Sequence, residues 1–459
     1  MADFSTFSSG LKPRLSAEAR IVGSEGTVTR WDESSTPVPH ATVFPTTEED
    51  VAETVKYCRE KGLKCFAQSG GHGWRVRNSR DINVIISLGQ LNTITIAEDQ
   101  KSVTLGGGTI IKQLIESVAA EKLEVVTGIC NTVGVLGSLL QGGIGRYMGK
   151  YGLGIDNLLS VNLVDATGTL HRNVNESTDA DLWWSIRGAG TSFGIVTEAT
   201  IKAYPQASEL SWIGSVAFTN NPGSKIEKIV KAIQELEVTD KMCLHLLFAC
   251  APPAFTPAVL IMPWYYGSEE EGRKAWKGIL DLEPDIVDMT MAPAERLNDG
   301  NDPFGEVGGR KPGVGMGLEK IDPDAYCEIW RLFEDFVTEN PQAARSIVLL
   351  ECYSKAKSLS VPRETTAFAN RDIKYETIVC PWYEDPTFDI KANAFSSSIR
   401  EIWSQKCSHP DGRKRVYTAF SGNNEPTESL FGERERVDKL KAVKAKWDPE
   451  NYWGALFDI

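Results

Sequence analysis

The first half of the chain alternates short apolar runs with segments in which apolar residues recur every three or four positions. Thr46 with Glu49, or Thr47 with Asp50, forms a capping box that predicts the start of a helix ending before Gly62. The same patterns predict strands over 63–67, 84–87, 102–105, 124–126, 158–164, 169–171 and 195–204, and helices over 109–120 and 181–186. This order of elements indicates a unit of mixed helices and strands.

The pattern changes after Glu209, where longer strands and helices follow one another. Strands are predicted over 211–218, 244–249, 258–262, 346–352 and 375–380, and helices over 225–236, 269–280 and 325–337. A stretch rich in Gly and Pro over 298–317 predicts a long loop, and a last helix is predicted over 437–446. We therefore expect an α+β fold with an N-terminal segment (1–36), a first domain (37–207), a second domain (208–415) and a C-terminal segment (416–459) that returns to the first domain.

The composition is typical of a globular protein with more than one core. Its 459 residues are 41% hydrophobic and 24% charged, and this length exceeds what one ordinary core accommodates. The formal net charge of −13 disfavours nucleic acid as a partner, because a phosphate backbone would be repelled. Residues 1–14 contain no apolar run, so neither a signal peptide nor a membrane anchor is predicted, and the expected location is the cytoplasm. The nine cysteines lack metal-ligand spacing, which predicts free thiols and no metal site.

Two glycine-rich tracts indicate a nucleotide site. The first, Ser69 to Gly73, follows a predicted strand, and glycine lets successive backbone N–H groups converge on a pyrophosphate without Cβ atoms in the way. A tight turn is the alternative for this loop taken alone. The second tract, 128–145, is too rich in glycine for a regular helix and too apolar for a flexible linker, which predicts backbone folded tightly around a ligand. Neither the dinucleotide fingerprint of nicotinamide enzymes nor a P-loop is found, so another nucleotide fold is expected.

Several motifs in sequence order carry a resemblance to one family. They are QSGGHG at 68–73, GICNTVG at 128–134, GGIG at 142–145, GLGIDN at 152–157, LWWSIRGAGTSFGIVT at 182–197, AFANR at 367–371 and VKAKWDPEN at 443–451. Their order and spacing resemble the berberine bridge enzyme-like branch of the FAD-linked oxidases, in the vanillyl-alcohol oxidase superfamily. The resemblance implies an FAD-binding PCMH-type domain of two subdomains. It also implies a substrate domain with an antiparallel sheet backed by helices, and a substrate pocket between the two domains.

The resemblance further implies FAD held by two covalent bonds. His72 matches the histidine joined to the flavin 8α-methyl group, and Cys130 matches the cysteine joined to C6 of the same ring. The implied cofactor-binding residues are Ser69, Gly70, Gly71, His72, Gly73, Cys130, Thr132, Val133, Gly134, Gly137, Gly142, Gly143, Gly145, Gly152, Asp156, Asn157, Val196 and Asn451. Val133 matches a position that gates oxygen in the family, and a residue of its size points to an oxidase. Each of these three residues has a structural alternative. His72 would be a loop histidine with ordinary hydrogen bonds, Cys130 a small buried thiol, and Val133 a residue that only packs.

The catalytic base of the family is matched less well. A tyrosine common on a late strand is replaced by Phe420, and a Glu or Gln of the preceding strand falls at Ile378, two residues from Glu376 on the same face. The candidate catalytic residues are Tyr417, Glu376 and Tyr383, each with a structural role as the alternative.

The leading hypothesis is an FAD-dependent oxidase. It would transfer a hydride from a small specialised metabolite (an alcohol, an amine or an activated C–H) to flavin N5, with O2 as acceptor and H2O2 as product. The alternative is a pericyclase or isomerase that acts on a polyene or quinone-methide type substrate and retains FAD without redox chemistry; a flavin-binding structural protein is a third possibility. The expected partners are a small organic substrate and O2, without nucleic acid or membrane, and the expected state is a monomer or homodimer. Asn423 and Asn424 are expected to form a turn, with substrate contact as the alternative.

Overall fold

Helices and mostly antiparallel strands are mixed throughout the chain. The computed structural model describes residues 4–26, 29–74, 76, 79–251, 255–422, 425–455, 457 and 459. The strands are β1 (Arg20–Gly23), β2 (Ala41–Phe44), β3 (Cys65–Gln68), β4 (Val84–Ser87), β5 (Ile94–Ile96), β6 (Ser102–Gly106), β7 (Leu123–Glu124), β8 (Leu158–Val164), β9 (Leu170–Val174), β10 (Ile195–Lys202), β11 (Tyr204–Pro205), β12 (Leu210–Phe218), β13 (Met242–Ala251), β14 (Thr256–Tyr265), β15 (Ile286–Pro293), β16 (Val314–Leu318), β17 (Ile347–Tyr353) and β18 (Tyr375–Cys380). The α-helices are α1 (Phe4–Leu11), α2 (Glu48–Glu60), α3 (Ile111–Ala120), α4 (Val135–Leu139), α5 (Met148–Tyr151), α6 (Ala180–Ala189), α7 (Ile226–Glu235), α8 (Glu269–Ala275), α9 (Lys277–Leu280), α10 (Pro323–Glu339), α11 (Ala356–Ser360), α12 (Asp389–Lys406), α13 (Thr427–Phe431) and α14 (Arg434–Trp447).

The first part of the chain builds two principal sheets. One has the strand order β1-β2-β4-β3, in which β4 pairs in parallel with both β2 and β3. The other has the order β5-β6-β10-β8-β9 and is antiparallel. The parallel pairs require crossover connections, and α2 provides one between β2 and β3. The glycine loop Ser69 to Gly73 therefore starts at the end of β3, in the parallel part of the first sheet.

The second part builds a seven-stranded antiparallel sheet in the order β15-β12-β14-β13-β17-β18-β16. Helices α7, α10 and α12 cover one face, where Ile229, Trp330 and Ile399 share a core with buried strand residues. The opposite face is turned toward the glycine-rich tracts. The predicted α+β class, with an antiparallel sheet backed by helices, is confirmed.

Several predicted elements occur as expected because their signals are local. The side chain of Thr47 accepts from the Asp50 N–H and the Asp50 carboxylate accepts from the Thr47 N–H, so the second of the two proposed capping boxes is confirmed. Strands β4 and β8 have the predicted bounds. Helix α14 ends at Trp447, before Asp448 and Pro449, and its buried residues join the core of the five-stranded sheet.

The prediction of a long loop over 298–317 is wrong in its last part. Residues Val314–Leu318 form strand β16, the edge strand paired with β18. A Cβ at position 315 would lie 2.5 Å from the Thr377 carbonyl oxygen, and one at 317 would lie 2.3 Å from Ile373 Cδ1. Gly315 and Gly317 therefore allow neighbouring atoms to approach the strand closely. Glycine at these positions serves packing within a strand, whereas the prediction took it as a sign of a loop.

The prediction that tract 128–145 contains no regular helix is also wrong. Val135–Leu139 forms the short helix α4, because Val135, Leu136 and Leu139 are buried in the core beside the five-stranded sheet and this burial offsets the low helix propensity of Gly137. Several elements are not predicted, among them β15 and α12. Half of the residues of β15 are exposed and the strand shows little alternation, and the serines in the middle of α12 obscure the helical spacing of its buried face.

Within the described ranges, no helix combines the length and the apolar character that spanning a membrane requires.

Candidate active site

A cavity of about 380 Å³ lies between the two glycine-rich tracts and the uncovered face of the seven-stranded sheet. The loop after β3 contributes Gly70 and His72, and the second tract contributes Cys130 and Val133. The sheet contributes side chains from β13, β17 and β18. The cavity thus joins residues from both parts of the chain, which is a common place for ligand sites.

His72 and Cys130 converge on one hydroxyl group. The Nε2 atom of His72 lies 2.9 Å from the Oγ1 atom of Thr132, and the Sγ atom of Cys130 lies 3.6 Å from the same oxygen. The Thr132 hydroxyl donates to the Gly305 carbonyl oxygen at 3.1 Å. Because its single proton is used there, Thr132 accepts the Nε2 proton of His72, and Nδ1 is then the unprotonated nitrogen of a neutral ring.

The electrostatic surroundings keep both side chains uncharged. Burial, with smaller effects of Lys311 and Arg30, lowers the pKa of His72 to about 3. Burial raises the pKa of the Cys130 thiol, and the Thr132 hydrogen bond opposes this only in part. The imidazole therefore has a nitrogen lone pair available at neutral pH.

The two glycine tracts pack against each other at a distance that excludes side chains. A Cβ at position 70 would lie 2.4 Å from the Gly134 backbone nitrogen, and a Cβ at 134 would lie 2.4 Å from Ser69 Oγ. The Ser69 hydroxyl is buried and has no hydrogen-bond partner among the described residues. A buried polar group of this kind calls for a partner from a ligand.

A row of polar side chains crosses the sheet on the cavity side. In the strand register Glu376 of β18 lies opposite Glu351 of β17, and Glu351 lies opposite His245 of β13. Directly paired residues share a face of the sheet, so the three side chains project together. Glu351 and Glu376 are 5% and 1% exposed, which is rare for carboxyl groups and costs free energy unless they are protonated or paired.

Glu351 is held by a chain of hydrogen bonds. The Tyr353 hydroxyl donates to Glu351 Oε2 at 3.1 Å, and His245 Nε2 lies 3.1 Å from the same hydroxyl. Burial lowers the pKa of His245 to about 3, so the neutral ring donates through Nε2. Burial raises the pKa of Glu351 to about 7, while the Tyr353 hydrogen bond and Lys355 lower it. This carboxyl group can therefore accept or release a proton near neutral pH.

Comparisons with known proteins agree with this arrangement. The FAD binding domain family matches residues 39–173. The chain is 32% identical over 437 residues to the FAD-linked oxidoreductase hasG of Aspergillus fumigatus, a match covering 92% of this chain and 92% of that protein. Wild-type BBE-like 1 of Physcomitrella patens has the same fold, with a TM-score of 0.83, 20% identity and coverage of 98% of both chains. Glucooligosaccharide oxidase of Acremonium strictum also has it, with a TM-score of 0.84, 18% identity and coverage of 100% of this chain and 99% of that one.

The chain belongs to the family of FAD-linked oxidoreductases, and it shares its fold with a berberine bridge enzyme-like structure. The resemblance drawn from the motifs is thereby confirmed, with FAD as the cofactor. The residues of the cavity fit this group, since the cavity of about 380 Å³ is bordered by glycine backbone and Ser69 offers a buried hydroxyl without another partner among the described residues.

The predicted cofactor residues of the oxidoreductase fall into two groups. Those that line the cavity are Ser69, Gly70, Gly71, His72, Gly73, Cys130, Val133, Gly134, Gly137 and Val196. Thr132 contacts both proposed attachment residues. Those placed outside the cavity lining are Thr132, Gly142, Gly143, Gly145, Gly152, Asp156, Asn157 and Asn451.

Residues of the second group have visible structural roles. The Asp156 carboxylate forms a two-bond ion pair with Arg371 at 2.7 and 2.8 Å, and both side chains are buried. The Asn157 amide donates to the Leu153 carbonyl oxygen at 2.8 Å and its oxygen accepts from the Tyr204 hydroxyl at 2.7 Å. These contacts hold the 152–157 motif in place, and a direct role in cofactor binding stays a prediction.

The three predicted catalytic residues are separated in the structure. Tyr417 lines the cavity, with its ring against Phe368 and Phe420, and burial raises the pKa of its hydroxyl. Glu376 lies in the polar row; burial raises its pKa to about 8, and Lys355 Nζ, 3.8 Å from Oε1, lowers it.

Tyr383 needs a correction. It lies outside the cavity lining, and its hydroxyl donates to Asp389 Oδ1 at 2.7 Å beside Arg310. The reason is that β18 ends at Cys380, so Tyr383 no longer follows the alternation of the strand. Glu376 and Ile378 share the cavity side of the sheet, and of these two Ile378 lines the cavity and Glu376 lies outside the lining. This placement argues against Tyr383 as the base. Asn423 and Asn424 lie outside the described residues.

The sequence prediction overlooks Glu351, Tyr353 and His245. A signal for them exists, because Glu351 is the single charged residue in the strand sequence IVLLECY and His245 is the single polar ring in MCLHLLFACA. A lone ionisable group in an otherwise apolar strand is a candidate for a functional role.

Proposed function

We propose that this FAD-dependent oxidoreductase oxidises a small organic molecule in the cavity, with Glu351 as the general base. The observation that carries the proposal is that His72, Cys130 and Glu351, from three distant parts of the sequence, line one cavity. A flavin attached at one wall and a carboxyl group with a pKa of about 7 at the other provide the two halves of a dehydrogenation.

Covalent attachment through both His72 and Cys130 is part of the proposal. Their common contact with Thr132 supports it, because two side chains joined to C6 and to the 8α-methyl group of the same ring must lie close together. The neutral imidazole and the hydrogen bond at Nε2 support Nδ1 as the attachment atom of His72. Glucooligosaccharide oxidase, which shares the fold, is described as carrying a 6-S-cysteinyl, 8α-N1-histidyl FAD.

The residues of the chain supply positioning and proton transfer. FAD held by His72 and Cys130 would supply a two-electron acceptor for a hydride from the substrate carbon, with O2 as the final acceptor and H2O2 as the product. Glu351 accepts the proton that leaves the substrate hydroxyl or amine, and Tyr353 orients its carboxylate. Val133, which lines the cavity beside Cys130, supports O2 as the electron acceptor.

The pericyclase or isomerase alternative receives less support. It rests on apolar residues at the family's base positions, and Phe420 does lie in the cavity wall. The hydrogen-bonded carboxyl group of Glu351 on β17 provides a base in place of the family's usual one, so the apolar residues do not exclude an oxidation. The cytoplasmic location and the monomeric or dimeric state stay predictions from the sequence.

Anaerobic mixing of the purified holoenzyme with a panel of alcohols and amines tests the proposal. A substrate should bleach the flavin absorption, and air should restore the colour with one H2O2 for each product formed. Product formation without bleaching would replace the oxidase by the isomerase. As a control, the Glu351→Gln variant should bind the same compound and bleach far more slowly.

A further inference from the structure

One side of the cavity is bounded by a continuous series of aromatic rings, which we call the aromatic wall: His72, Trp31, Trp74 and Phe420. The Trp31 ring stacks on His72 with centroids 5.5 Å apart and an angle of 19° between the rings. Trp74 follows at 5.7 Å and Phe420 at 6.0 Å from the ring before it. The wall therefore runs from the proposed flavin attachment residue along the cavity.

Trp31 is fixed before any ligand binds. Its indole N–H donates to the Phe304 carbonyl oxygen at 2.7 Å and its backbone N–H donates to the Gly71 carbonyl oxygen at 3.1 Å. Lys311 Nζ donates to the Trp31 carbonyl oxygen at 2.7 Å and lies 4.6 Å from the ring centroid. A ring held in this way loses little conformational freedom when a ligand stacks on it.

The sheet side of the cavity is apolar near the wall. Ile347, Leu349, Ile378 and Cys380 line the cavity and belong to the same apolar cluster as Trp31, Trp74 and Phe420. Among the described residues of the seven-stranded sheet that line the cavity, the hydrogen-bonding side chains are His245, Glu351 and Tyr353, which lie together in one part of it. The face of this sheet is thus apolar beside the wall and polar at one place.

This distribution selects against a carbohydrate. Each sugar ring carries several hydroxyl groups, and those placed against Leu349 or Ile378 would lose their water without gaining a hydrogen bond. A planar apolar ring stacked on the wall has no hydrogen bonds to water to lose, and a single hydroxyl or amine on it would reach Glu351. We propose that the substrate is a largely apolar aromatic or conjugated molecule with one oxidisable alcohol or amine, stacked on the aromatic wall and directed toward Glu351. This inference rests on the proposed function, since it names the substrate class of that site.

The proposed substrate class is tested by measuring, with calorimetry, how tightly the holoenzyme binds two probes, 2-naphthalenemethanol and cellobiose. We expect the aromatic alcohol to bind at least about tenfold more tightly, and the Trp74→Leu variant to weaken it by about three- to tenfold, as the loss of one stacking contact predicts. The Trp74→Phe variant, which keeps a ring, should restore most of the affinity. The Phe420→Leu variant probes the far end of the wall in case the change at position 74 disturbs folding.

Tighter or equal binding of cellobiose, binding of neither probe, or equal affinities of the leucine variants and the parent protein would overturn the inference. Anaerobic flavin absorption separates this result from a failure of the proposed function. If the naphthalene alcohol binds through the wall without bleaching the flavin, the oxidase proposal fails and the binding class stands. If cellobiose bleaches the flavin and the aromatic alcohol does not, the oxidase proposal stands and the class fails.

Discussion

Glu351 and Glu376 lie directly opposite each other on adjacent antiparallel strands, both buried and both on the cavity side of the sheet. Two carboxyl groups in this relationship resist ionising together, because each is removed from water and a second negative charge would lie beside the first. They differ in their partners. Glu351 accepts from Tyr353, whereas neither oxygen of Glu376 has a hydrogen-bond partner among the described residues. Glu351 is therefore the member of the pair prepared to lose its proton first.

Replacing Glu351 with Gln removes the proposed base and keeps the shape of the side chain. We expect the rate of anaerobic flavin reduction to fall by about 10²- to 10⁴-fold, the usual contribution of general base catalysis. The Glu376→Gln variant is the matched control and should stay within a few-fold of the parent rate. The opposite ranking, measured by stopped-flow absorption, would assign the base to Glu376.

The same pair sets the pH dependence of activity and stability. Flavin reduction requires ionised Glu351, so its rate should rise with pH through an apparent pKa of about 7. Stability should change in the other direction. Burial raises the folded-state pKa values to about 7 and about 8, above those of the unfolded chain, so the folded state binds more protons between about pH 4.5 and pH 8.

The urea midpoint should therefore fall as the pH rises through that window. The Glu351→Gln/Glu376→Gln double variant should show a flatter profile, because it lacks both groups. An unchanged slope in the double variant would mean that these carboxyl groups are already ionised in the folded protein.

The sequence predicts those elements whose signals are local. It does not predict elements that depend on contacts with distant segments of the chain. Helix α2 carries its own capping box, and β4 is a continuous apolar run, so both are recognised without knowledge of the fold. Strand β16 is hidden by Gly315 and Gly317, whose need for close approach appears only when Thr377 and Ile373 are in place.

The site shows the same division. The motifs locate His72 and Cys130, but their meeting at Thr132 depends on how two loops pack. Glu351 is overlooked because its importance depends on the register that places it between Glu376 and His245. Pairing of strands far apart in the sequence is not visible in the pattern of any one strand.

The ion pair between Asp156 and Arg371 joins the 152–157 motif to the second part of the chain. Asp156→Asn leaves a buried guanidinium group without its charge partner, and we expect it to lower the free energy of unfolding by about 3–5 kcal/mol. The exposed pair of Glu227 and Lys231 provides the control, and Glu227→Gln should leave the urea midpoint unchanged. An altered flavin spectrum with unchanged stability would instead support the predicted cofactor role of Asp156.

Val133 offers a test of oxygen access. Val133→Leu adds a methylene group to the cavity wall beside Cys130, and we expect re-oxidation of the reduced flavin by O2 to slow several-fold. Flavin reduction by substrate should be nearly unchanged, which separates the oxygen step from general damage to the site. Equal re-oxidation rates in the variant and the parent protein would limit Val133 to packing.

The mass of the intact, denatured polypeptide tests the central claim most directly. If His72 and Cys130 both hold the cofactor, the parent protein should carry the added mass of one FAD, and the Cys130→Ser variant should retain it through His72. The His72→Ala/Cys130→Ser double variant should show the unmodified mass. A parent protein of unmodified mass, with all its flavin released to the supernatant, would contradict the account.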